Sequence, residues 1–462
     1  LAVSLLIPFT FNLTPSQSLL LLTTIYCSTV YGGSISAILL RIPGSYESVA
    51  TTFDGYPLAK QGKAAKALGV ALLASGIGGT FSVIVMILMA PQLAKVALVF
   101  GPAEYFALGV LGLSVITSFD TKSLPKSLAA AFLGMLLATV GIDSITGVSR
   151  FDFGSMALKN GISFVPAIIG LFAVSEVLTQ VQRSTQVEKL ASTQKIASEL
   201  PSRSELKGLS GVIARSSIIG TLIGVLPGVG GTVASLLSYS EAVRTSKHPE
   251  KYGTGILEGV AAPEAANNAA CGGAMIPLLS LGIPGSAVTA VLVGAFMIHG
   301  LRPGPLLFVN NIDLVYTIFI GMFVANFLIL AVGIYGIKPV VKMLDVPYKY
   351  MAPVILVLCV VGSYAINNNL ADVWMMAGFG LLGYIMSKHS FPLAPLILGL
   401  VLGPITEISF RRALVMSQGN LIPIITRPIV AVLLIASLVS LIYPLVRSYR
   451  ASKTVKTEVG AV

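Results

Sequence analysis

Long apolar runs separated by short polar connections make up most of the chain. An apolar run of about 20 residues is long enough for an α-helix to cross a bilayer, so the pattern predicts a bundle of membrane-spanning helices. The continuous runs predict spans near residues 67–90, 103–120, 125–146, 162–181, 312–336, 350–368, 372–388 and 421–446. A shorter run covers 393–405, and Gly and Pro interrupt three further stretches, about 16–58, 212–243 and 256–300. We therefore predict an all-α polytopic membrane protein with about twelve spans.

The composition narrows the class of protein further. Apolar residues make up 55% of the chain and charged residues 11%, against roughly 25% charged residues in a typical soluble domain. Too few polar side chains remain to cover a soluble surface, which excludes a soluble enzyme, a nucleic-acid-binding domain and a disordered protein. The net charge of +11 is explained by Lys and Arg in short cytoplasmic connections.

One long polar segment divides the apolar residues into two halves. Residues 182–208 carry more basic than acidic side chains, which predicts a cytoplasmic linker, and the basic tail at 447–462 places the C-terminus on the same side. The halves are a first transmembrane repeat over 1–181 and a second over 209–446. The chain begins at Leu1 in an apolar run without a basic n-region, which indicates a truncated N-terminus rather than a signal peptide.

The two halves share three elements in the same order. Tyr31-Gly32-Gly33 followed by Ile42-Pro43-Gly44-Ser45 recurs as Cys271-Gly272-Gly273 followed by Ile283-Pro284-Gly285-Ser286. Pro102-x-x-Tyr105 recurs as Pro347-x-x-Tyr350, and Pro166, Gly170 and Glu176 recur as Pro395, Gly399 and Glu407. The ordered matches predict an internal duplication. Duplicated halves are typical of secondary transporters, and an odd number of crossings in each half would make the repeats inverted.

The interrupted stretches are where we expect a binding site built from broken helices and helical hairpins. Pro removes a backbone donor and paired Gly favours unwinding, and unwound backbone at membrane depth must be buried or line a wet cavity. Each helix restart presents free N–H groups and a positive dipole end, which bind anions. Isolated Gly and Pro would indicate packing instead, but the matching copies favour a cavity for an anionic substrate. The predicted substrate-binding residues are Gly32, Gly33, Ser34, Pro43, Gly44, Ser45, Pro227, Gly228, Gly230, Thr232, Asn267, Asn268, Gly272, Gly273, Pro284, Gly285 and Ser286.

Several polar residues lie near these breaks, and for three of them two interpretations stay open. Asn267 and Asn268 could orient a substrate or bridge two helices. Glu264, with unwound carbonyls around it, could take the coupling cation or proton, or could pair with a helix end. Arg41 could bind a carboxylate or extend to the headgroups, and Asp54 could cap a helix. Two glutamates in equivalent repeat positions are expected near the ends of their spans, Glu176 and Glu407.

Catalytic and metal chemistry is poorly supported. The three histidines and the three cysteines are spread along the chain without metal-binding spacing: His248, His299, His389, Cys27, Cys271 and Cys359. The sequence contains neither a P-loop nor a GxSxG motif. An intramembrane protease or lipid transferase would need a Ser/His pair or paired Asp that we do not find. We predict no enzyme, no metal site and no cofactor, with energy from an ion gradient or from another subunit.

Six segments together resemble a known family. Gly224–Gly230, Gly259–Ala270, Ile283–Ser286, Tyr31–Ser34, Ile42–Ser45 and Asp54–Pro57 are similar to signatures of the large membrane subunit of the tripartite tricarboxylate transporter family. The likeness extends to about Tyr443, and the Glu264–Asn268 block is its most specific part. It implies a bacterial inner-membrane carrier that imports tricarboxylates, dicarboxylates or related organic acids with Na⁺ or H⁺. It also implies a small four-helix membrane subunit and a periplasmic solute-binding protein as partners.

The chain departs from the family pattern in two places. The family carries a first Leu-Pro-Gly-Leu-Gly element ahead of its Tyr-Gly-Gly motif, and no residue here matches it. The family often has Asn where this chain has Arg41, a change that bears on substrate choice. The alternative to a tripartite system is a stand-alone, ion-coupled carrier or exchanger of organic anions without a binding-protein partner.

Overall fold

The computed structural model describes residues 2–41, 43–119, 124–184, 201–343 and 348–442. Within these ranges eight helices are long and apolar enough to cross a membrane. This confirms the prediction of an all-α polytopic membrane protein, while the count of about twelve spans and the inverted repeats stay predictions. The middle of the predicted linker and the whole predicted tail at 447–462 lie outside the described residues.

The helices form two compact units. Unit 1 is built from Leu1–Leu98 and Ser163–Ile385, and unit 2 from Val99–Ile162 and Met386–Val462. The units are therefore a different division of the chain from the two sequence halves, because each of them draws on both.

Unit 1 contains the three interrupted stretches. Its helices begin with α1 (Ala2–Leu6), α2 (Pro15–Leu40), α3 (Thr51–Lys60) and α4 (Ala64–Ala97). The chain returns to unit 1 after Ile162 with a continuous helical run, formed by α8 (Phe164–Ile168), a π-helical turn (Ile169–Val174) and α9 (Ser175–Ser184). The remaining helices are α10 (Arg203–Val225), α11 (Gly230–Thr245), α12 (Glu258–Leu281), α13 (Ala287–Ile298), α14 (Pro305–Asn310), α15 (Ile312–Met343), α16 (Tyr348–Asn367) and most of α17 (Leu370–Lys388).

Unit 2 is smaller. It contains α5 (Pro102–Phe119), α6 (Leu124–Ala138), a two-stranded antiparallel hairpin of β1 (Gly141–Ile142) and β2 (Ser149–Arg150), and α7 (Met156–Lys159). Its later helices are α18 (Leu393–Met416), α19 (Ile422–Ile425) and α20 (Pro428–Ile442).

Three predicted spans end elsewhere in the structure. The span predicted over 125–146 is too long, because α6 ends at Ala138 and the hairpin follows. The short run at 393–405 is part of α18, which continues to Met416. The span predicted over 421–446 is divided into α19 and α20. Hydropathy is averaged over a window of residues, whereas the turn residues determine where each helix ends. Hydropathy therefore does not locate the helix ends.

Paired Gly was expected to favour unwinding in the interrupted stretches, but α2 and α12 are continuous through Gly32-Gly33 and Gly272-Gly273, so this expectation is wrong there. Their glycines allow close helix packing instead. A methyl group at Gly272 would lie 2.4 Å from Ser82 Oγ, and one at Gly273 would lie 2.5 Å from the Thr221 carbonyl oxygen. Small residues at such crossings let two backbones approach each other.

Helix α12 forms the core of unit 1. Every residue from Gly259 to Ser280 is buried, and α4, α10 and α11 pack around it. A helix that is buried on all sides has no free face for solvent or lipid. Its polar residues therefore lie inside the protein, where each needs a partner.

Equivalent positions of the sequence repeats make similar close contacts in the two units. In unit 2 a methyl group at Gly399 of α18 would lie 2.3 Å from the Ala131 carbonyl oxygen of α6. In unit 1 a methyl group at Gly170, the equivalent position, would lie 2.2 Å from the Met376 carbonyl oxygen of α17. In both cases a helix of one sequence half packs against a helix of the other half.

Candidate functional site

The first Pro-Gly-Ser turn follows α2. Arg41 ends the helix in the left-handed conformation, with φ of 58°. The Gly44 N–H then donates to the Gly33 carbonyl oxygen at 3.1 Å, which folds the turn back onto α2. A methyl group at Gly44 would lie 2.8 Å from Gly33 Cα, so only glycine allows this approach. The Ser45 N–H donates to Ser48 Oγ at 3.3 Å at the start of the 3₁₀ turn Tyr46–Ser48, while Ser45 Oγ makes no cap hydrogen bond.

The second Pro-Gly-Ser turn follows α12 and repeats this local geometry. Gly282 ends the helix with φ of 74°. A methyl group at Gly285 would lie 2.6 Å from Ala274 Cα, so this turn also packs directly on its own helix. Ser286 forms a capping box with Thr289 at the start of α13. Ser286 is buried, whereas Pro43 and Gly44 of the first turn are exposed.

The third break separates α10 from α11, as predicted. Gly228 and Gly230 have φ of 75° and 67°, a backbone conformation that favours glycine. The first turn of α11 then meets the other two breaks. A methyl group at Gly230 would lie 3.7 Å from Ser286 Cβ, and one at Gly231 would lie 2.8 Å from Glu47 Cγ and 3.4 Å from the Asn267 carbonyl oxygen. The three breaks therefore converge within unit 1.

A fully buried carboxylate lies beside this meeting point. Glu264 of α12 accepts hydrogen bonds from Ser34 Oγ of α2 at 2.5 Å and from Ser75 Oγ of α4 at 3.0 Å. Thr51 Oγ1, at the first residue of α3, donates to the same carboxylate. All four residues are at most 1% exposed. Three hydroxyls from three different helices thus surround one acidic side chain.

The two asparagines hydrogen-bond within α12. Asn268 Nδ2 donates to Asn267 Oδ1 at 2.7 Å and to the Glu264 carbonyl oxygen at 3.3 Å. The Asn267 amide nitrogen lies beside the Glu264 carboxylate but forms no hydrogen bond of good geometry. The sequence also allowed these asparagines to bridge two helices. Their described hydrogen bonds all lie within α12, so they form no such bridge.

Most buried polar atoms without a hydrogen-bond partner belong to the elements that carry this region: α2, the first turn, α11 and α12. Four of the five such atoms among the described residues are Tyr31 Oη, Ser45 Oγ, Ser235 Oγ and Asn267 Nδ2. Nearly all buried polar groups in proteins are hydrogen-bonded, so a cluster of exceptions indicates a place where another group binds.

Other predicted residues lie apart from this cluster. Gly32 faces no atom within 4 Å. Arg41 is exposed, and its guanidinium lies 5.7 Å from the centre of the Tyr56 ring, which Lys60 also approaches to 5.0 Å. Arg41 therefore packs on an aromatic ring at the edge of the unit.

The comparison with known proteins identifies the family. The profile of the tripartite tricarboxylate transporter TctA family matches residues 1–398. The chain belongs to this family. An uncharacterized 52.8 kDa protein of the TAR-I ttuC′ 3′ region of Agrobacterium vitis is 41% identical over 451 residues, which cover 98% of this chain and 89% of that protein.

A second Agrobacterium vitis protein, from the TAR-II ttuC′ 3′ region, is 43% identical over 234 residues, which cover 51% of this chain and 97% of that protein. No solved structure matches the chain. The TctA family is a family of transporters, so membership indicates a membrane subunit of a tricarboxylate transporter rather than an enzyme. A tripartite system also implies further subunits.

In this TctA-family chain, Asp54 holds a loop rather than capping its own helix. Its Oδ1 accepts from the backbone N–H groups of Gly253, Gly255 and Ile256 at 2.8–3.0 Å. The Tyr239 hydroxyl donates to Oδ2 at 2.8 Å. Asp54 therefore does not cap α3, which has no side-chain cap, and its backbone partners precede the first residue of α12. The carboxylate instead fixes the segment that leads into α12.

The two equivalent glutamates differ in their partners. Glu176 accepts from Gln180 on its own helix in unit 1. In unit 2 Glu407 pairs with Arg150 at 2.7 Å and with Arg411 at 3.3 Å. Asp143 of the hairpin loop joins the same cluster, where the Ile145 N–H, the Thr146 hydroxyl and the two arginines hold its pKa well below the usual range.

Sequence reasoning missed four polar residues of the site: Tyr26, Glu47, Thr51 and Ser75. Tyr26 Oη lies 3.3 Å from Ser286 Oγ and so connects α2 with the second turn. Glu47 follows directly after the first turn, a position that could have drawn attention to it. Thr51 and Ser75 carry no such signal, because hydroxyls in apolar helices most often bond to their own backbone.

Proposed function

We propose that the chain is the large transmembrane subunit of a binding-protein-dependent secondary transporter. It imports tricarboxylates, dicarboxylates or related organic acids, driven by a Na⁺ or H⁺ gradient. Family membership supports the transport of such acids. The single observation that carries the site is the convergence of three helix breaks, with unpartnered buried polar atoms among them.

The chemistry of the converging breaks suits a carboxylate. The starts of α11 and α13 each present backbone N–H groups and the positive end of a helix dipole. Ser45 Oγ, Ser235 Oγ and Asn267 Nδ2 add donors that no described residue satisfies. A substrate with two or three carboxylates would satisfy several of these donors at once.

The proposed transport cycle moves one set of elements past the other, with two inverted repeats on either side of the substrate. Close Gly contacts between helices of the two halves, as at Gly170 and Gly399, permit such sliding with little side-chain interlock. The chain would lie in a bacterial inner membrane with the central linker and the C-terminus in the cytoplasm. A small four-helix subunit and a periplasmic binding protein would complete the system.

Uptake of labelled citrate into proteoliposomes tests the site. The variant that combines Asn267→Ala, Asn268→Ala and Ser286→Ala should lose citrate uptake, because it removes side-chain donors from α12 and from the second turn. The control is Ser210→Ala, an exposed position on α10 where the hydroxyl bonds to its own helix. Normal uptake by a correctly folded triple variant would refute the proposed site.

The same assay separates the tripartite system from a stand-alone carrier. Uptake that requires both the small subunit and the binding protein supports the proposal. Uptake by the large subunit alone, at an unchanged rate, would favour the stand-alone carrier of organic anions.

A further inference from the structure

Glu264 is an acidic side chain buried without a basic partner. It is 0% exposed at the centre of unit 1. None of the ion pairs formed by the described residues includes it, whereas Glu104, Glu205 and Glu407 each pair with Lys or Arg. A buried ionised carboxylate is costly unless a positive charge or a proton neutralises it. Its surroundings must therefore supply that charge from outside the chain.

The second buried carboxylate of unit 1 shows what is different about Glu264. Asp54 is also 0% exposed, but three backbone N–H groups and a tyrosine hydroxyl donate to it. Backbone N–H groups are donors only, so they fix a negative charge in place. The donors to Glu264 are all hydroxyls, whose oxygen atoms can also ligate a cation once the hydroxyl rotates.

We propose that the Glu264 carboxylate and the three hydroxyls around it form a pocket that binds the coupling cation of the transporter as a sodium ion. The ligands are the Glu264 carboxylate and the hydroxyl oxygens of Ser34, Thr51 and Ser75. The proposal rests on the proposed function in that the ion is cargo carried with the substrate. It adds two ligands, Thr51 and Ser75, and it selects Na⁺ over H⁺.

The donor set and its charge both favour Na⁺. Oxygen atoms from a carboxylate and neutral hydroxyls are the ligands that hard cations take. The pocket holds one negative charge, which a monovalent ion neutralises and a divalent ion would overcompensate. A buried carboxyl group needs hydrogen-bond partners with either ion. A proton binds to a single oxygen atom, however, whereas a metal cation takes several, so the convergence of hydroxyls from α2, α3 and α4 on the carboxylate suits Na⁺.

The pocket also contacts the proposed substrate site. Thr51 begins α3, three residues after the turn Tyr46–Ser48, and Asn267 lies one helical turn beyond Glu264. The Asn267 amide nitrogen, which is buried and unpartnered, lies beside the Glu264 carboxylate. An ion that reorients this carboxylate would therefore also reposition a donor of the substrate site.

Binding of ²²Na⁺ to the purified chain tests the pocket without transport. Thr51→Val and Ser75→Ala should each weaken Na⁺ binding by about 10- to 100-fold, the range for the loss of one polar contact to a charged group. Thr51→Ser keeps the hydroxyl and should bind Na⁺ like the parent chain. Thr80→Val is the matched control, since it removes a hydroxyl of α4 that bonds only to its own helix.

Three results distinguish the outcomes. Parent-like ²²Na⁺ binding by both Thr51→Val and Ser75→Ala would overturn the sodium site. Citrate uptake that ignores Na⁺ and follows only a pH gradient would overturn it in favour of proton coupling. If the parent chain binds Na⁺ through this pocket but neither binds nor exchanges any carboxylate, the cation site stands and the proposed function fails.

Discussion

Two glycines of α10 allow the helix to pack directly on α12, just before the break that leads to α11. A methyl group at Gly220 would lie 2.2 Å from the Ala266 carbonyl oxygen, and one at Gly224 would lie 2.5 Å from the Ala270 carbonyl oxygen. Both neighbouring atoms are backbone, so they cannot move aside as a flexible side chain would. We predict that Gly220→Ala separates α10 from α12 and displaces the break.

The magnitude follows from the geometry. Restoring a 3.0 Å contact at residue 220 requires a shift of roughly 0.8 Å, and a gap of 0.5–1 Å forfeits about a quarter to a half of the dispersion energy at the interface. Overpacking of this kind costs about 1–3 kcal/mol, while Gly→Ala in a helix regains about 0.8–1.0 kcal/mol. Substrate-site displacements near 1 Å can lower rates by about 100-fold.

Gly211→Ala on the same helix is the control, because no atom lies within 4 Å of a methyl group at this exposed position. It has the same gain in helix propensity, so the difference in unfolding free energy between the two variants isolates the packing cost. The assays are thermal unfolding in detergent and citrate uptake by proteoliposomes. If Gly220→Ala is as stable and as active as Gly211→Ala, the close packing of α10 on α12 is not what positions the break.

Three further changes test other contacts. Asp54→Asn should destabilise unit 1 by about 1–3 kcal/mol, because an amide replaces one oxygen of a fully hydrogen-bonded buried carboxylate. Thermal unfolding measures the loss of stability, and protease cleavage near 249–257 reports the release of the loop. Unchanged stability and an unchanged cleavage rate would contradict the prediction. Glu47→Gln should lower the half-saturating citrate concentration about three- to tenfold, because it removes a negative charge beside the start of α11; an unchanged or higher value in an uptake titration would contradict it. Asp143 has a pKa below its unfolded value of about 3.9, so its stabilisation is present above that value and is lost as the pH falls through the folded pKa. Asp143→Asn should therefore lower the melting temperature equally at pH 7 and pH 5, and a difference that vanishes already at pH 5 would show that the carboxylate does not stay ionised.

The helix breaks could be predicted from sequence because their causes are local. Proline at 43, 227 and 284 removes a backbone donor, and Gly228 adopts a conformation that favours glycine. Such constraints act whatever the rest of the protein does. Their convergence in unit 1 was expected from the matching copies, and the structure brings them together.

The errors arose where a residue type serves two purposes. Gly33 and Gly273 were expected to unwind their helices, but they remain helical and allow another backbone segment to approach. Which purpose a glycine serves depends on the partner that faces it, and the sequence does not name that partner. Thr51 and Ser75 were missed for the same reason, since only the tertiary fold brings their hydroxyls to Glu264.

One turn of α12 connects the proposed ion and substrate sites. Glu264 faces hydroxyls of α2, α3 and α4, while the Asn267 carbonyl oxygen meets the first turn of α11. A rigid, fully buried helix transmits a change at one residue to the next turn with little loss, because its close-packed neighbours leave it no room to relax. Sodium at Glu264 would thus favour one orientation of the Asn267 amide, and a substrate that binds this amide would in turn favour the ion. Thermodynamic linkage requires the two effects to be equal, so Na⁺ should lower the dissociation constant of citrate by the same factor by which citrate lowers that of Na⁺.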